Sequence, residues 1–291
     1  MKMINELSYA QRERLIFIDL CLSYLGEISR AELIDKFQTG LAAATRDFAT
    51  YKEFAPANME LIHKSKTYHR TDDFKPLFKH ETKKVLHELS SGFGLSFPNQ
   101  LSQACVNSVS LVNPPENLVS TVMRAIVKNK ALKCEYVSLT SGVKQRVIIP
   151  HSFINNGKRW HVRAYDRDTQ VFKDFVITRF KQLQIIDSDI VIAEMKESDN
   201  QWNRIVDLTL IPHPKSPFPE AIELDYAMTD GQLHIEVRAA LVGYMLNQWN
   251  VDCSESYQLN HKQYQLALKV REAVYAVHNA YLAPGYQEIE Q

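Results

Sequence analysis

Two adjacent prolines, Pro114 and Pro115 in "VNPPEN" (residues 112–117), set the tightest limit on how this chain can fold. Proline lacks the N–H that a helix interior or a central strand needs, and it pushes the preceding residue into extended backbone. The chain is therefore cut near Pro115 into parts with different patterning. Upstream, apolar residues recur at helical spacing. Downstream, after one helical stretch in "ENLVSTVMRAIVKNK", short runs of β-branched and aromatic residues alternate with turns. Within that stretch Val119, Val122, Ile126 and Met123 are expected to face inward. A length of 291 residues admits two or three domains.

Upstream of the prolines, residues 8–25 read as a helix with Ser8 as N-cap, an apolar row of Leu15, Ile18, Leu22 and Leu25, and Gly26 as the stop. Ser29 and Glu32 form a capping box for a short second helix ending near Phe37. A third helix follows Thr39, its expected cap. Leu41, Ala44, Phe48 and Tyr51 share its inner row, leaving Ala42, Ala43, Thr45, Arg46 and Lys52 outside. "ELIH" and "TYHR" then read as two strands around a Lys-Ser-Lys turn. Helix, helix, helix, hairpin is the order of a winged helix-turn-helix, which lays its third helix in the DNA major groove and its wing near the backbone. The DNA-contact candidates are Thr39, Ala43, Thr45, Arg46 and Lys52 on the third helix, and Lys64, Lys66 and Tyr68 on the wing. A protein-interaction domain of the same pattern remains the alternative. We expect this unit at residues 1–76 and a helical connector at 77–115, with apolar spacing at Leu77, Val85 and Leu89.

Downstream, "ALKCEYVSL", "VKQRVIIPHSFINN", "RWHVRAYD", "VFKDFVITRF" and "LQIIDSDI" read as neighbouring antiparallel strands separated by "TSG", "NNGK" and "DRDT". With the one helix they make a small β-rich domain at 116–192. From 200 to 291, "RIVDLTLI", "PEAIELDYAM", "GQLHIEVRAA" and "LVGYMLNQWN" mix strand and helix into a third, α+β part.

Net charge is zero, which argues against a generally basic coat, but the charge is unevenly spread. Residues 144–181 hold nine Lys and Arg against three acids, and residues 185–236 hold eleven acids against three bases. Alternation along "RWHVRAYD" places Trp160, Val162 and Ala164 on one face, for a core, and Arg159, His161, Arg163 and Tyr165 on the other. Paired guanidiniums suit phosphate, and Tyr136, Tyr165 or Phe175 offer rings for a base. A solvated face paired with nearby acids is the plainer alternative.

Other classes find little support. The four cysteines are scattered with no C-x-x-C pair, which fits reduced thiols. No metal or cofactor is expected. The N-terminus lacks the apolar core of a signal peptide, and no apolar run approaches a bilayer span, so a cytoplasmic protein is expected. Histidines 80, 87, 151, 161, 213 and 234 are available as bases. No H-E-x-x-H, Gly-rich phosphate loop, G-x-S-x-G or clustered acid pair accompanies them, so the chain does not read as an enzyme.

"YVSLTSG", "RVIIPHSF", "GKRWHVRAYD" and "FKDFVITRF", in that order, resemble the WYL domain of bacterial transcription regulators. The family's Trp-Tyr-Leu triplet is here Trp160-His161-Val162. The "RWHVRAY" version and "AAATRDFATYKEFAP" are similar to the subgroup that regulates phage-defence loci of the BREX and CBASS types. The resemblance implies a fold of winged helix-turn-helix, small Sm/SH3-like WYL domain and C-terminal α+β dimerisation extension. It also implies a homodimer on an inverted-repeat operator, usually a repressor, whose WYL face senses a nucleotide or single-stranded nucleic acid. Carried over by position, the sensing residues are Tyr136, Ser138, Ser141, Arg146, His151, Arg159, His161, Arg163 and Arg179. An imidazole at 161 is expected to titrate near neutral pH. A single-strand or RNA-binding accessory protein without an operator is the rival reading.

Overall fold

Ser8 opens the first helix, α1 (Tyr9–Tyr24), by accepting the Gln11 N–H at 3.3 Å. The computed structural model describes residues 4–91 and 110–287, in two compact units, Met1–Val109 and Ser110–Gln291. Cys105 and residues 92–109 of the expected connector lie outside the described residues.

In the first unit Gly26 turns the chain at φ 82°, where only glycine is comfortable, into β1 (Glu27–Ser29). α2 (Arg30–Phe37) carries the expected capping box: Ser29 Oγ accepts the Glu32 N–H and Glu32 Oε2 accepts the Ser29 N–H. α3 (Leu41–Phe54) is followed by β2 (Met59–Ile62) and β3 (Thr67–Arg70), which pair with β1 in the order β1-β3-β2. Leu15, Ile18, Leu22, Leu33, Phe48 and Tyr51 are at most 1% exposed and form the core. The fully buried Asp19 accepts bonds from Tyr51 Oη and from the N–H groups of Leu77 and Phe78, and meets His80 Nε2 at 2.8 Å. It thereby ties α3 to the strap that leads into α4 (Thr82–Ser91). Two expectations need correction. The N-cap of α3 is Gly40 rather than Thr39, with no side-chain cap bond. Leu41 is 63% exposed, because its row overruns the core one turn before the first buried position, Ala44.

In the second unit α5 (Glu116–Val127) starts after Pro115 and buries Val122 and Ala125, while Met123 is exposed. It packs on a five-stranded antiparallel sheet of β4 (Ala131–Ser138), β5 (Gly142–Asn155), β6 (Trp160–Asp166), β7 (Val171–Val176) and β8 (Phe180–Ile186). The order is β7-β6-β5-β4-β8, and the two edge strands are joined by the single turn Ile177–Arg179, so the sheet curls on itself. The register of β5 slips between Pro150 and Ser152, which sets His151 at a bulge.

The C-terminal part of the same unit runs α6 (Asn200–Asn203), β9 (Ile205–Pro212), α7 (Pro219–Asp225), β10 (Leu233–Arg238), α8 (Ala239–Gln248), β11 (Val251–Asp252) and β12 (Leu266–Leu268). Its sheet order is β10-β9-β12-β11. α8 lies so close to the 276–282 segment that a Cβ on Gly243 would collide with the Asn279 carbonyl. The architecture is the α+β multidomain arrangement expected: winged helix-turn-helix, central β-rich domain and α+β C-terminal part.

Candidate functional site

The candidate Lys and Arg residues without an ion pair among the described residues fall on two surfaces. The first is in the N-terminal unit. Thr45, Arg46 and Lys52 are exposed on α3, and Ala43 and Thr39 are half-buried. Lys64 and Lys66 are exposed at the tip between β2 and β3. Arg46, Lys52, Lys64 and Lys66 hold no ion pair among the described residues, while Arg14 is taken by Asp47 at 2.6 Å. Tyr68 is different. Its ring stacks on Phe48 at 4.2 Å and its hydroxyl accepts from Arg30 Nη2 at 3.0 Å, so it locks the wing to α3.

The second surface is a cleft of about 460 Å³ in the C-terminal unit. Four of the nine positions carried over from the resemblance line it: Tyr136, Arg159, His161 and Arg179. Lys158, from the β5–β6 turn, joins them. Tyr244, Asn247 and Tyr281 of the C-terminal part make the opposite wall. Arg159 and Arg179 are half-buried and have no carboxylate partner among the described residues. His161 is 5% exposed, its Nδ1 has no hydrogen-bond partner, and its ring lies 5.1 Å from that of Tyr244. Burial, then the charges of Arg159 and Arg179, push its pKa down to about 4. It is therefore neutral at pH 7, against the expectation of a titration near neutrality. Tyr136 is mainly a core residue: it accepts the Val176 N–H at 3.0 Å and packs edge-on to Phe175.

The other five candidates lie elsewhere. Ser138 accepts the backbone N–H groups of Thr140 and Ser141 and closes the β4–β5 turn, which places Ser141 there too. Arg146 pairs with the buried Asp166, beside a separate groove lined by Lys133 and Arg167. His151 bonds Ser152 Oγ at 3.0 Å and Asp199 at 3.2 Å. Arg163 is 6% exposed and forks onto Asp199 at 2.8 and 3.0 Å, with its remaining arm on Asp174 at 3.2 Å. Tyr244 Oη donates to the same Asp174 at 3.1 Å. Asp199 also caps α6 by accepting the Trp202 N–H at 3.1 Å. Arg163 thus bolts the β-rich sheet to the C-terminal part.

The charges in this bolt are settled by contact. Burial works against the Arg163 charge, and its two carboxylates outweigh that and raise its pKa. Burial also opposes ionisation of Asp199, but bonds from His151 and Arg163 hold it well below the usual range. For Asp174 burial wins and raises the pKa. Lys158, Tyr244, Asn247 and Tyr281 were not foreseen from sequence. Lys158 had a signal in "GKRW"; the other three come from a part of the chain that no local pattern connects to β6.

Comparison with known proteins places all three parts. Residues 10–91 match the BrxR transcriptional regulator winged helix-turn-helix domain, residues 117–185 the WYL domain, and residues 205–274 the BrxR transcriptional regulator C-terminal dimerization domain. The "DNA-binding transcriptional repressor CapW" of Escherichia coli (strain KTE188) is 32% identical over 280 residues, 92% of each chain. That of Pseudomonas aeruginosa is 31% identical over 91% of each chain. That of Stenotrophomonas maltophilia is 31% identical over 85% of this chain and 86% of its own. Among solved structures, "Proteasome accessory factor B/C (PafBC) of Arthrobacter aurescens" aligns with 94% of this chain at 14% identity and a TM-score of 0.27; this chain spans 47% of that one, and at that score the likeness carries no argument. No helix among the described residues is long and apolar enough to cross a membrane. With three successive domain models matched and relatives above 30% identity along nearly the whole length, the chain belongs to the BrxR/CapW family of WYL-domain winged helix-turn-helix transcriptional regulators of phage-defence loci.

Proposed function

We propose that this protein is a cytoplasmic homodimeric repressor that binds an inverted-repeat operator, and that its basic cleft senses an anionic effector, a nucleotide or single-stranded nucleic acid. In this reading residues 1–76 bind DNA, 77–115 connect, 116–192 sense and 200–291 dimerise. Arg46 and Lys52, with Thr39, Ala43 and Thr45, face base edges or flanking phosphates, and Lys64 and Lys66 meet phosphates. Tyr68 serves the site by fixing the wing. In the sensing part, Arg159, Arg179 and the neutral His161 contact the effector, whereas Arg146, His151 and Arg163 hold the frame, and Ser138 and Ser141 shape a turn.

The observation that carries the sensing half is the pair of half-buried arginines, each without a carboxylate, beside a buried imidazole with an unused nitrogen. Two guanidiniums that share a cleft and lack carboxylate partners leave their paired donors free for an anion supplied from outside. The test is a gel shift with the duplex upstream of the protein's own gene, with random duplex and a short single-stranded oligonucleotide as competitors. The reading predicts tight binding that survives random duplex, and release by the single strand in the parent protein but not in an Arg159→Ala/Arg179→Ala variant. Binding to single strand alone, with no preference for the upstream duplex, favours the accessory-protein reading instead. Equal release of both proteins removes the cleft from sensing.

A further inference from the structure

Leu41 is the first residue of α3, and 63% of it is exposed. The buried row of α3 begins at Ala44, so Leu41 stands outside the core and its side chain is open to a partner. Three features around it bear on what it meets. The residue before it is Gly40, where a Cβ would find nothing within 4 Å, so the approach to Leu41 is open. Leu41 and Thr45 stand one turn apart and share a stripe of the helix. The Thr45 hydroxyl donates to the Leu41 carbonyl at 2.9 Å, so its proton is spent inside the helix and is not offered to a base. The outer face near the start of α3 is then small and apolar, with Leu41 and Ala42, and its first unpaired charge is Arg46.

In helix-turn-helix docking, base edges are contacted from the N-terminal part of the third helix. The one apolar feature that a base pair offers in the major groove is the thymine C5-methyl group. We propose that Leu41 is a specificity-determining residue that reads a thymine methyl in each operator half-site, complementing the hydrogen bonds and charge supplied from Arg46 onward. The proposal rests on the reading of α3 as the helix that enters the groove.

The probe is a duplex selected by the full-length protein from a random-sequence library, prepared once with thymine and once with uracil at every thymine of the half-sites. Uracil keeps the pairing and removes only the methyl group. The parent protein, Leu41→Ala, Leu41→Met and Arg46→Ala are titrated on both duplexes by fluorescence anisotropy. Burial of a methyl predicts that the parent binds the uracil duplex about three- to tenfold more weakly. Leu41→Ala weakens on the thymine duplex by a similar factor and no longer distinguishes the two. Leu41→Met, which keeps apolar reach, retains part of the preference. Arg46→Ala weakens on both and preserves their ratio. A parent protein indifferent to the methyl groups, a selected half-site without thymine, or a Leu41→Ala variant that keeps the full discrimination overturns the proposal. If Arg46→Ala also leaves both affinities unchanged, the placement of α3 in the groove fails with it. Because Leu41 is exposed and alanine favours helix, the variant retains its fold, which its melting curve verifies.

Discussion

Arg163 shows how residue type and residue role separate. Its guanidinium is the kind of group that grips phosphate, yet here it is buried and divided between Asp199 and Asp174. Removing one member of such a set leaves uncompensated charge in a low-dielectric interior, at a cost of about 3–5 kcal/mol. Arg163→Ala is therefore expected to lower the thermal midpoint sharply, and Arg163→Lys to rescue it only in part, because an ammonium cannot reproduce the two-pronged bond to Asp199. A variant that melts like the parent contradicts the structural role. His161 gives a prediction in pH. Its folded pKa of about 4 lies below the 6.5 of an unhindered imidazole. The unfolded chain thus binds the proton more readily. The stability contributed by the neutral ring is complete above pH 6.5 and is lost as pH falls from there toward 4. Urea unfolding at pH 7 and pH 5 is expected to show a larger loss for the parent than for His161→Phe. Equal losses contradict the burial of an uncharged ring.

At the scale of elements, the winged helix was readable where local chemistry decides structure. Ser29 and Glu32 announce α2 by a reciprocal pair of bonds that needs nothing from the rest of the fold. Replacing Ser29 by Ala is expected to cost about 1 kcal/mol, measured by urea unfolding. The β2–β3 hairpin was legible for the same reason. What periodicity missed are places where tertiary context overrides the pattern. Leu41 fits the inward row of α3 but lies beyond the end of the core. Trp160 shares a face with the buried Val162 and Ala164, yet it sits at the strand's first position and stays 42% exposed. Alternation gives β6 one core face and one ligand face. In fact His161 and Arg163 on its second face are covered as well, since the C-terminal part lies over it through Tyr244 and Asp199. A sequence cannot announce cover that arrives some 40 to 80 residues later in the chain. β1, β11 and β12 escaped because two or three residues carry no period. The wing makes its own prediction: Lys64→Ala and Lys66→Ala lower affinity alike for every duplex and each flattens the salt dependence by about one unit of slope. An unchanged slope takes the wing off the phosphates.

At the scale of the molecule, a neutral chain divides its charge by task. The winged helix carries unpaired cations on α3 and the wing tip, whereas the β-rich domain spends three of its arginines internally. Arg146, Arg163 and Arg167 are balanced by Asp166, Asp199, Asp174 and Glu194. What remains unbalanced at the cleft is Arg159, Arg179 and Lys158, closed on the far side by Tyr244, which lies in the stretch that matches a dimerization domain, and by Tyr281 beyond it. A ligand there touches two parts of the unit at once, and it shifts an equilibrium only through a difference in affinity between conformations. The central claim is that DNA reading and anion sensing occupy separate surfaces. The most direct measurement is the dissociation constant for the upstream duplex and for random duplex, with parent protein, Arg46→Ala and Arg159→Ala/Arg179→Ala compared at one salt concentration. The account predicts that Arg46→Ala loses much of its preference for the upstream duplex while the double variant binds both duplexes as the parent does. Loss of operator binding in a folded double variant, or an unchanged preference in Arg46→Ala, contradicts it.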